Sequence, residues 1–367
     1  MLMLCFCLSG CIDESIHPDM GNEQTEMEEE TGEEKSESSF SILFLDVGQA
    51  DAALVECDGY YMLIDGGNKD DSRLLYSVLK EKGMEKLDIV IGTHAHEDHI
   101  GGIPGALSYA PAETTLCPVT AYDSEAFGDF SRYAKENGGG ITVPSVGDEY
   151  VLGSARVSIL GVNGAEATND TSIIAKVVYG ETSFLFMGDA ERTAEEVVLM
   201  SGADLTATVL KVGHHGSGTS SSYPFLREVM PEYAVISVGE GNEYGHPHDN
   251  TLSRLRDAGA QIFRTDLQGD IVMISDGKKV TVVAENSATL DEILTPGEEF
   301  AYTEETLEIT ENKASAEGYV VNKNTLKFHY PDCDSVGKIS EKNKLYISGT
   351  REELTAQGYE PCGGCRP

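Results

Sequence analysis

The run Thr93-His94-Ala95-His96-Glu97-Asp98-His99-Ile100-Gly101-Gly102 places four metal-grade side chains within six residues. On an extended stretch, residues i and i+2 point the same way, so His94 and His96 can pinch one cation from one side. Where the chain turns into a helix, Asp98 and His99 can reach a second cation close by. Two divalent ions a few ångströms apart can hold both the attacking and the leaving oxygen of a displacement, and they lower a water's pKa toward neutrality. Asp98 is therefore expected to serve the chemistry as well as the metal. The pair Gly101-Gly102 lets backbone come close to the site. A lone histidine in such a loop is most often simply solvated, but four ligands at this spacing are not.

Other stretches carry the same residue types. His214 and His215, in Val212-Gly213-His214-His215-Gly216-Ser217-Gly218, leave an apolar run and enter a Gly and Ser turn. One imidazole there can bind metal or protonate a leaving oxygen, while the turn, Ser217 included, can meet an anion. His214 is the first choice and His215 the alternative. In Tyr244-Gly245-His246-Pro247-His248, proline stiffens the backbone between two histidines. One of them is expected to complete the metal site or contact substrate, with His248 placed to assist a leaving oxygen and His246 beside it. Near the end of the chain, His329 and Cys333 form one close pair and Cys362 and Cys365 another. Two such pairs can enclose one tetrahedral zinc, and a module of about 50 residues has too little core to fold well without such a staple. A disulfide is the competing reading, weakened by the odd count of three cysteines.

These residues need elements to hold them. From Phe40, the runs FSILFLDVG, DAALVEC and YYMLIDGG read as three short strands separated by turn residues. Residues 71–83 place Leu74, Leu75, Val78 and Leu79 at helical spacing and stop on Gly83. LDIVIGTH is a nearly continuous apolar run, a strand buried on both faces that delivers the first histidine. The second half repeats this grammar: YVLGSARVSILG, TSIIAKVVYG and TSFLFMGD as strands, a helix over about 191–200, then ATVLKVG ending on His214. A helix near 250–259 and the strands QIFRTD, DIVMIS and KVTVVAE close the body near Glu285. Strands, helix and strand given twice predict an α/β fold, two sheets between helices in an αββα four-layer sandwich.

The chain of 367 residues has a formal net charge of -37. Residues 12–39 carry eleven acids against Lys35, and 286–317 carry nine against Lys313, so both read as acidic linkers; the body between them stays at about -20. This excludes a nonspecific polyanion coat, and any phosphate the body handles must be held by metal. The five segments are then 1–11, 12–39, 40–285, 286–317 and 318–367. The opening MLMLCFCLSGC resembles a bacterial lipoprotein signal with Cys11 as the lipidated residue, which implies an anchor on the outer face of the membrane and a body tethered in solution. No other run reaches the ~18 apolar residues of a spanning helix. Cys57 and Cys117 read as buried, inert thiols.

The string around His94, with Asp65 in LIDGG before it and Asp189 in FMGD after it, resembles the motif set of the metallo-β-lactamase superfamily across about residues 40–285. The resemblance implies His94, His96, Asp98 and His99 as ligands, Asp189 as the carboxylate bridging two ions, and Asp65 as an orienting group. The superfamily's isolated histidine between these motifs has no counterpart, since no histidine lies between His99 and His214. Asn169 or Asp170, in NDTS, can fill that place. FLDVGQADAALVE, THAHEDHIGG, LFMGDAE, LKVGHHGSGTS and YGHPH are similar to the hydrolase domain of ComEC-type competence DNA-uptake proteins, and to phosphorylcholine esterases of the same fold. The resemblance implies a phosphodiesterase holding two Zn²⁺ or Mn²⁺ ions, acting on DNA or another phosphodiester and associated with uptake machinery. A small-ester hydrolase and a noncatalytic surface binding module are the alternatives. FHYPDC with GYEPCGGC resembles the zinc-binding domain of the Ada DNA-repair family, which implies one structural zinc on His329, Cys333, Cys362 and Cys365.

Overall fold

Alternation builds the first strand: Phe40, Ile42 and Phe44 of β1 (Phe40–Phe44) are buried while Ser41 and Leu43 are less so. It pairs antiparallel with β2 (Ala53–Cys57), which pairs antiparallel with β3 (Tyr60–Ile64). The computed structural model describes residues 39–137, 139–162, 168–297, 319–323, 325, 327–331, 333–347, 351, 354, 359–362 and 365. The expected signal segment with Cys11, the tether up to residue 38, and 298–318 lie outside the described residues.

The chain continues through α1 (Ser72–Glu81), β4 (Leu87–Ile91), α2 (Glu97–Ile100), α3 (Ile103–Tyr109), β5 (Ala112–Leu116), α4 (Glu125–Glu136) and β6 (Ile141–Thr142). The second half runs β7 (Glu149–Leu152), β8 (Ala155–Gly161), β9 (Ile174–Tyr179), β10 (Thr182–Phe186), α5 (Arg192–Ser201), β11 (Val209–Lys211), α6 (Tyr223–Val229) and β12 (Tyr233–Ile236). The body closes with α7 (Asp249–Asp257), β13 (Gln261–Arg264), α8 (Thr265–Gln268), β14 (Ile271–Ser275) and β15 (Val280–Ala284). One sheet has the order β15-β14-β1-β2-β3-β4-β5-β6 and the other β13-β12-β11-β10-β9-β8-β7.

Three apolar layers define the architecture. Between the sheets, Phe40 stacks on Tyr179 and Phe184 at centroid distances of 5.0 and 4.9 Å, and Phe44 on Phe186 at 6.0 Å. Outside the first sheet, Leu63 and Val90 pack with Leu75, Leu79, Ile103 and Phe130 from α1, α3 and α4. Outside the second, Leu185 and Leu210 pack with Val198, Phe225 and Leu252 from α5, α6 and α7. This is the αββα sandwich. β4 is buried throughout because both of its faces meet a layer.

The strands β3, β4 and β5 are parallel, as are β10, β11 and β12. Their carboxyl ends open toward the loops that carry the site, the place where such sheets bind ligands. Two glycines permit the close approach. A Cβ on Gly102 would lie 1.9 Å from the Gly66 carbonyl oxygen. Gly188, at φ +51, would put a Cβ 2.8 Å from Thr93.

The segment from 286, expected as a solvated linker, is described as far as 297, and there it is bonded to the body. α9 (Leu290–Ile293) starts at a capping box of Thr289 and Glu292, and Arg264 donates to the carbonyls of Glu292, Ile293 and Thr295. A buried guanidinium with five donors needs acceptors, and exposed helix-end carbonyls supply them. Gly297 donates to the Pro247 carbonyl at 3.0 Å.

The last segment forms a four-stranded sheet from β16 (Tyr319–Asn322), β17 (Lys327–His329), β18 (Lys344–Ile347) and β19 (Glu360–Pro361), in the order β18-β16-β17-β19, with α10 at Asp334–Gly337. Val321, Phe328 and Leu354 form a small core. Tyr330 stacks on Tyr223 of α6 at 4.6 Å, and both hydroxyls reach Asp257 at the end of α7. No helix among the described residues is long and apolar enough to cross a membrane.

Candidate metal centre

Six ligand-grade side chains sit one to five residues past a strand end. Asp65 follows β3, His94 and His96 follow β4, Asp189 follows β10, and His214 and His215 follow β11. His96 caps α2, whose first turn turns Asp98 and His99 back toward the same edge. Asp189 is buried at the centre. Its Oδ1 lies 3.2 Å from His99 Nε2 and 3.7 Å from His215 Nε2, and Asp98 Oδ2 is 3.8 and 3.3 Å from those same nitrogens. Its Oδ2 lies 3.8 Å from His94 Nε2, and His94 Nε2 is 3.0 Å from His96 Nδ1. Two groups therefore share one carboxylate: Asp98, His99, Asp189 and His215, and His94, His96 and Asp189.

The donor chemistry fits cations. His99 Nε2 and Asp189 Oδ1 are buried, 3.2 Å apart, and yet neither makes a hydrogen bond. Buried polar atoms without partners are costly, and a common third body satisfies both. Charge says the same. Burial pushes His94 well below the ordinary imidazole range, so it is neutral, as a metal-bound imidazole must be. Burial would also lower His99 and His215, but nearby carboxylates outweigh it: Asp189, Asp65 and Asp98 hold His99 well above its usual value, and Asp189 and Asp51 lift His215 to about 10. Burial opposes the ionisation of Asp98, yet His99 and His215 hold it down to about 2. The protein's own charges thus leave surplus buried anions that only protonated imidazoles balance, and divalent cations can take over that role.

Orienting contacts lie behind the ligands. Asp65 accepts from Thr93 N–H and Oγ1 and sits 2.8 Å from His99 Nδ1. His215 Nδ1 is 3.0 Å from the Ser237 carbonyl and 3.2 Å from Asp51 Oδ1, with the carbonyl the better aligned acceptor. Asp51 in turn accepts from Lys211 Nζ at 2.6 Å, both fully interior. Such partners set the tautomer and direction of a ligating imidazole.

Of the two adjacent histidines, His215 and not His214 enters the group with Asp98 and His99. Both have left-handed backbone, φ 51 each, and so their rings diverge. His214 Nε2 is 3.7 Å from Asp189 Oδ2, and its Nδ1 is 3.1 Å from Glu191 Oε1. Asn169 faces this pair, its Nδ2 donating to Glu191 at 3.1 Å. Asp170 does not face the ligands: its Oδ1 accepts from the backbone N–H of Glu191 and Ala194, capping α5. Ser217 is buried and bonded within its own turn, to Thr219. His248 also lies off the ligand group, because its Nδ1 accepts the Gly218 N–H at 2.8 Å. His246 is the member of that pair turned inward, 5.5 Å from the His214 ring and 6.4 Å from that of His215. Burial lowers it to about 3, so it stays neutral and cannot donate a proton as an imidazolium near pH 7.

Spacing did not single out Asp51, Lys211 or Glu191. A signal existed for one: Lys211 is a lone cation inside the apolar run ATVLKVG, and a lysine in a buried strand is almost always paired. At the other end of the chain, His329, Cys333, Cys362 and Cys365 converge with one donor atom each within 4.8 Å. The five described cysteines are free thiols. Cys57 and Cys117 are buried, and burial pushes Cys117 up to about 12, out of reach of thiolate chemistry.

Sandwich and shared carboxylate together support a metal-dependent hydrolase in general. The family model described as "Metallo-beta-lactamase superfamily" matches residues 45–240, and the chain belongs to that superfamily. Among curated proteins it is 28% identical over 254 residues to ComE operon protein 3 of Bacillus subtilis, covering 64% of this chain and 33% of that protein. It is 32% identical over 241 residues to competence protein ComA of Neisseria gonorrhoeae, covering 64% of this chain and 32% of that one. The chain thus spans about a third of the length of these relatives. Among solved structures, the metallo-β-lactamase fold protein YhfI from Bacillus subtilis aligns with a TM-score of 0.43 at 13% identity, covering 64% of this chain and 100% of that one.

Proposed function

We propose that the protein is a two-metal phosphodiesterase that cleaves DNA outside the cell, anchored to the membrane by a lipid on Cys11. The observation that carries the two-metal reading is the central Asp189, with one oxygen facing Asp98, His99 and His215 and the other facing His94. In this reading the first ion is held by His94, His96 and Asp189, and the second by Asp98, His99, Asp189 and His215. When bound, Zn²⁺ or Mn²⁺ ions supply Lewis acidity and an ionised water near neutral pH. Asp65 and the Ser237 carbonyl keep the His99 and His215 rings turned inward, and Lys211 keeps Asp51 fixed behind them. His246 lies beside His214 as a buried, uncharged ring.

DNA as substrate is supported by the competence-protein relatives, and because the body is acidic its phosphate would have to be held by metal. The C-terminal cluster is read as a structural zinc site. The test incubates the purified full chain with single- and double-stranded DNA, with and without Mn²⁺ or Zn²⁺, beside a His96→Ala control. Metal-dependent cleavage that falls at least about 100-fold in the control is expected, the loss of a ligand costing several kcal/mol of transition-state stabilisation. Intact DNA with metal bound would overturn the DNA assignment and move the substrate to small phosphoesters.

A further inference from the structure

The two metal groups are unequal: one offers four protein donors and the other three. We propose that Glu191 is a positioning residue that aims His214 at the ion held by His94, His96 and Asp189, making His214 that ion's fourth protein ligand. This rests on the two-ion reading above. The distances support it. His214 Nε2 lies 3.7 Å from Asp189 Oδ2, and His94 Nε2 lies 3.8 Å from that same oxygen. Donors bound at about 2.0–2.2 Å to one ion lie no more than roughly 4.4 Å apart, so each nitrogen is within reach of an ion on this oxygen. His214 stands outside the group whose donors already lie within 4.8 Å of one another, so its ring must turn toward His94 and His96 when the ion binds.

The rear of the ring carries the second observation. His99 and His215 each point Nε2 inward and hold Nδ1 against an oxygen, Asp65 at 2.8 Å and the Ser237 carbonyl at 3.0 Å. His214 is placed similarly, with Nδ1 3.1 Å from Glu191 Oε1 and 3.5 Å from Thr219 Oγ1, while its Nε2, 3.7 Å from Asp189 Oδ2, also lies 3.5 Å from Asn169 Nδ2. A carboxylate behind an imidazole whose other nitrogen faces a metal is the usual second contact of a ligating histidine. Glu191 is itself fixed, by Asn169 Nδ2 at 3.1 Å and through its own N–H on Asp170 at 3.0 Å. The 169–170 stretch, expected to replace the missing histidine directly, therefore acts one step back, by holding the residue that holds His214. The left-handed turn at His214 and His215, strained by about 1–3 kcal/mol per residue, sends adjacent rings to different ions.

The test titrates Mn²⁺, which thiolates bind poorly, into the full chain and follows free Mn²⁺ by electron paramagnetic resonance. Glu191→Gln is expected to weaken one of two binding steps by about 10–100-fold and leave the other, with an unchanged melting midpoint, and Glu191→Asp to recover part of the loss. If Glu191→Gln does not fold, His214→Ala, on a partly exposed ring, must show the same one-step loss. Two intact steps with lost turnover would overturn the proposal and make the Glu191 and His214 pair a proton donor. Equal weakening of both steps would also overturn it, as would a one-step loss in Asn169→Ala with none in Glu191→Gln. Uptake of fewer than two Mn²⁺ by the unaltered chain would instead sink the two-ion reading, and this inference with it.

Discussion

Asp51 and Lys211 meet at 2.6 Å in the interior, one from the loop entering β2 and the other from the end of β11. A buried pair of this kind adds little by itself, but removing one partner strands a charge. Lys211→Met is therefore expected to lower unfolding free energy by about 3–5 kcal/mol, read by urea denaturation of the metal-free chain. The double change Lys211→Met with Asp51→Asn should recover most of that loss, because no uncompensated charge remains. Simple additivity of the two single costs would show that the pair does not couple. Asp51 matters here because it stands 3.2 Å from His215 Nδ1, so the ion pair that ties the sheets together also backs a metal-facing ring.

At the scale of elements, the turns rather than the strands carry the differences from expectation. Asp170 sits in the stretch where a ligand was sought, and yet it caps α5 through the N–H groups of Glu191 and Ala194. A cap and a ligand predict different losses. Asp170→Ala is expected to cost about 0.5–2 kcal/mol of stability, measured by denaturant midpoint, while both Mn²⁺ binding steps keep their affinities. Weakened metal binding at unchanged stability would assign Asp170 to the metal instead. The turn 216–222 is likewise held by neighbouring helices: Arg254 of α7 donates to the Ser220 and Ser221 carbonyls, and Glu195 of α5 accepts from the Ser221 and Ser222 N–H groups. Around the two left-handed histidines themselves, the His214 N–H donates to the Gly188 carbonyl, the Ser217 N–H to the His214 carbonyl and Ser220 Oγ to the Gly213 carbonyl, so bonds on either side hold the strained backbone.

Across the whole molecule, the C-terminal module joins the body through Tyr330 stacked on Tyr223 and the shared Asp257. His329, the neighbour of Tyr330, is one of four converging donors, so folding of the module and docking of Tyr330 depend on one cluster. Module cores this small depend on such a staple. Cys362→Ser is expected to release one zinc per chain, to make residues 319–347 protease-sensitive, and to leave metal-dependent turnover of the body within about twofold of the unaltered chain. Full zinc retention in that variant would remove the structural assignment; a large loss of turnover would instead make the module part of the working site.

The ligand string from His94 to His99 and the four-layer plan were legible because both depend on local pattern. A continuous apolar strand ending on closely spaced imidazoles and carboxylates says what it can bind wherever it lies. Apolar periodicity likewise states which face of each element is buried, and it placed α1, α5 and α7 within a residue or two. The choice between His214 and His215 was not legible, because it turns on two positive φ angles that spacing does not encode. The same holds for Asp51 and Lys211, 160 residues apart, and for Arg264 reaching forward to 292–295. Composition made the segment from 286 look like a solvated linker, since it counts charges and not the backbone carbonyls that accept from the buried Arg264 guanidinium. The sequence by itself determined which donors exist and which strands deliver them. Only the tertiary structure decided which donors share Asp189, because that depends on side-chain directions at turns and on contacts closed between distant segments.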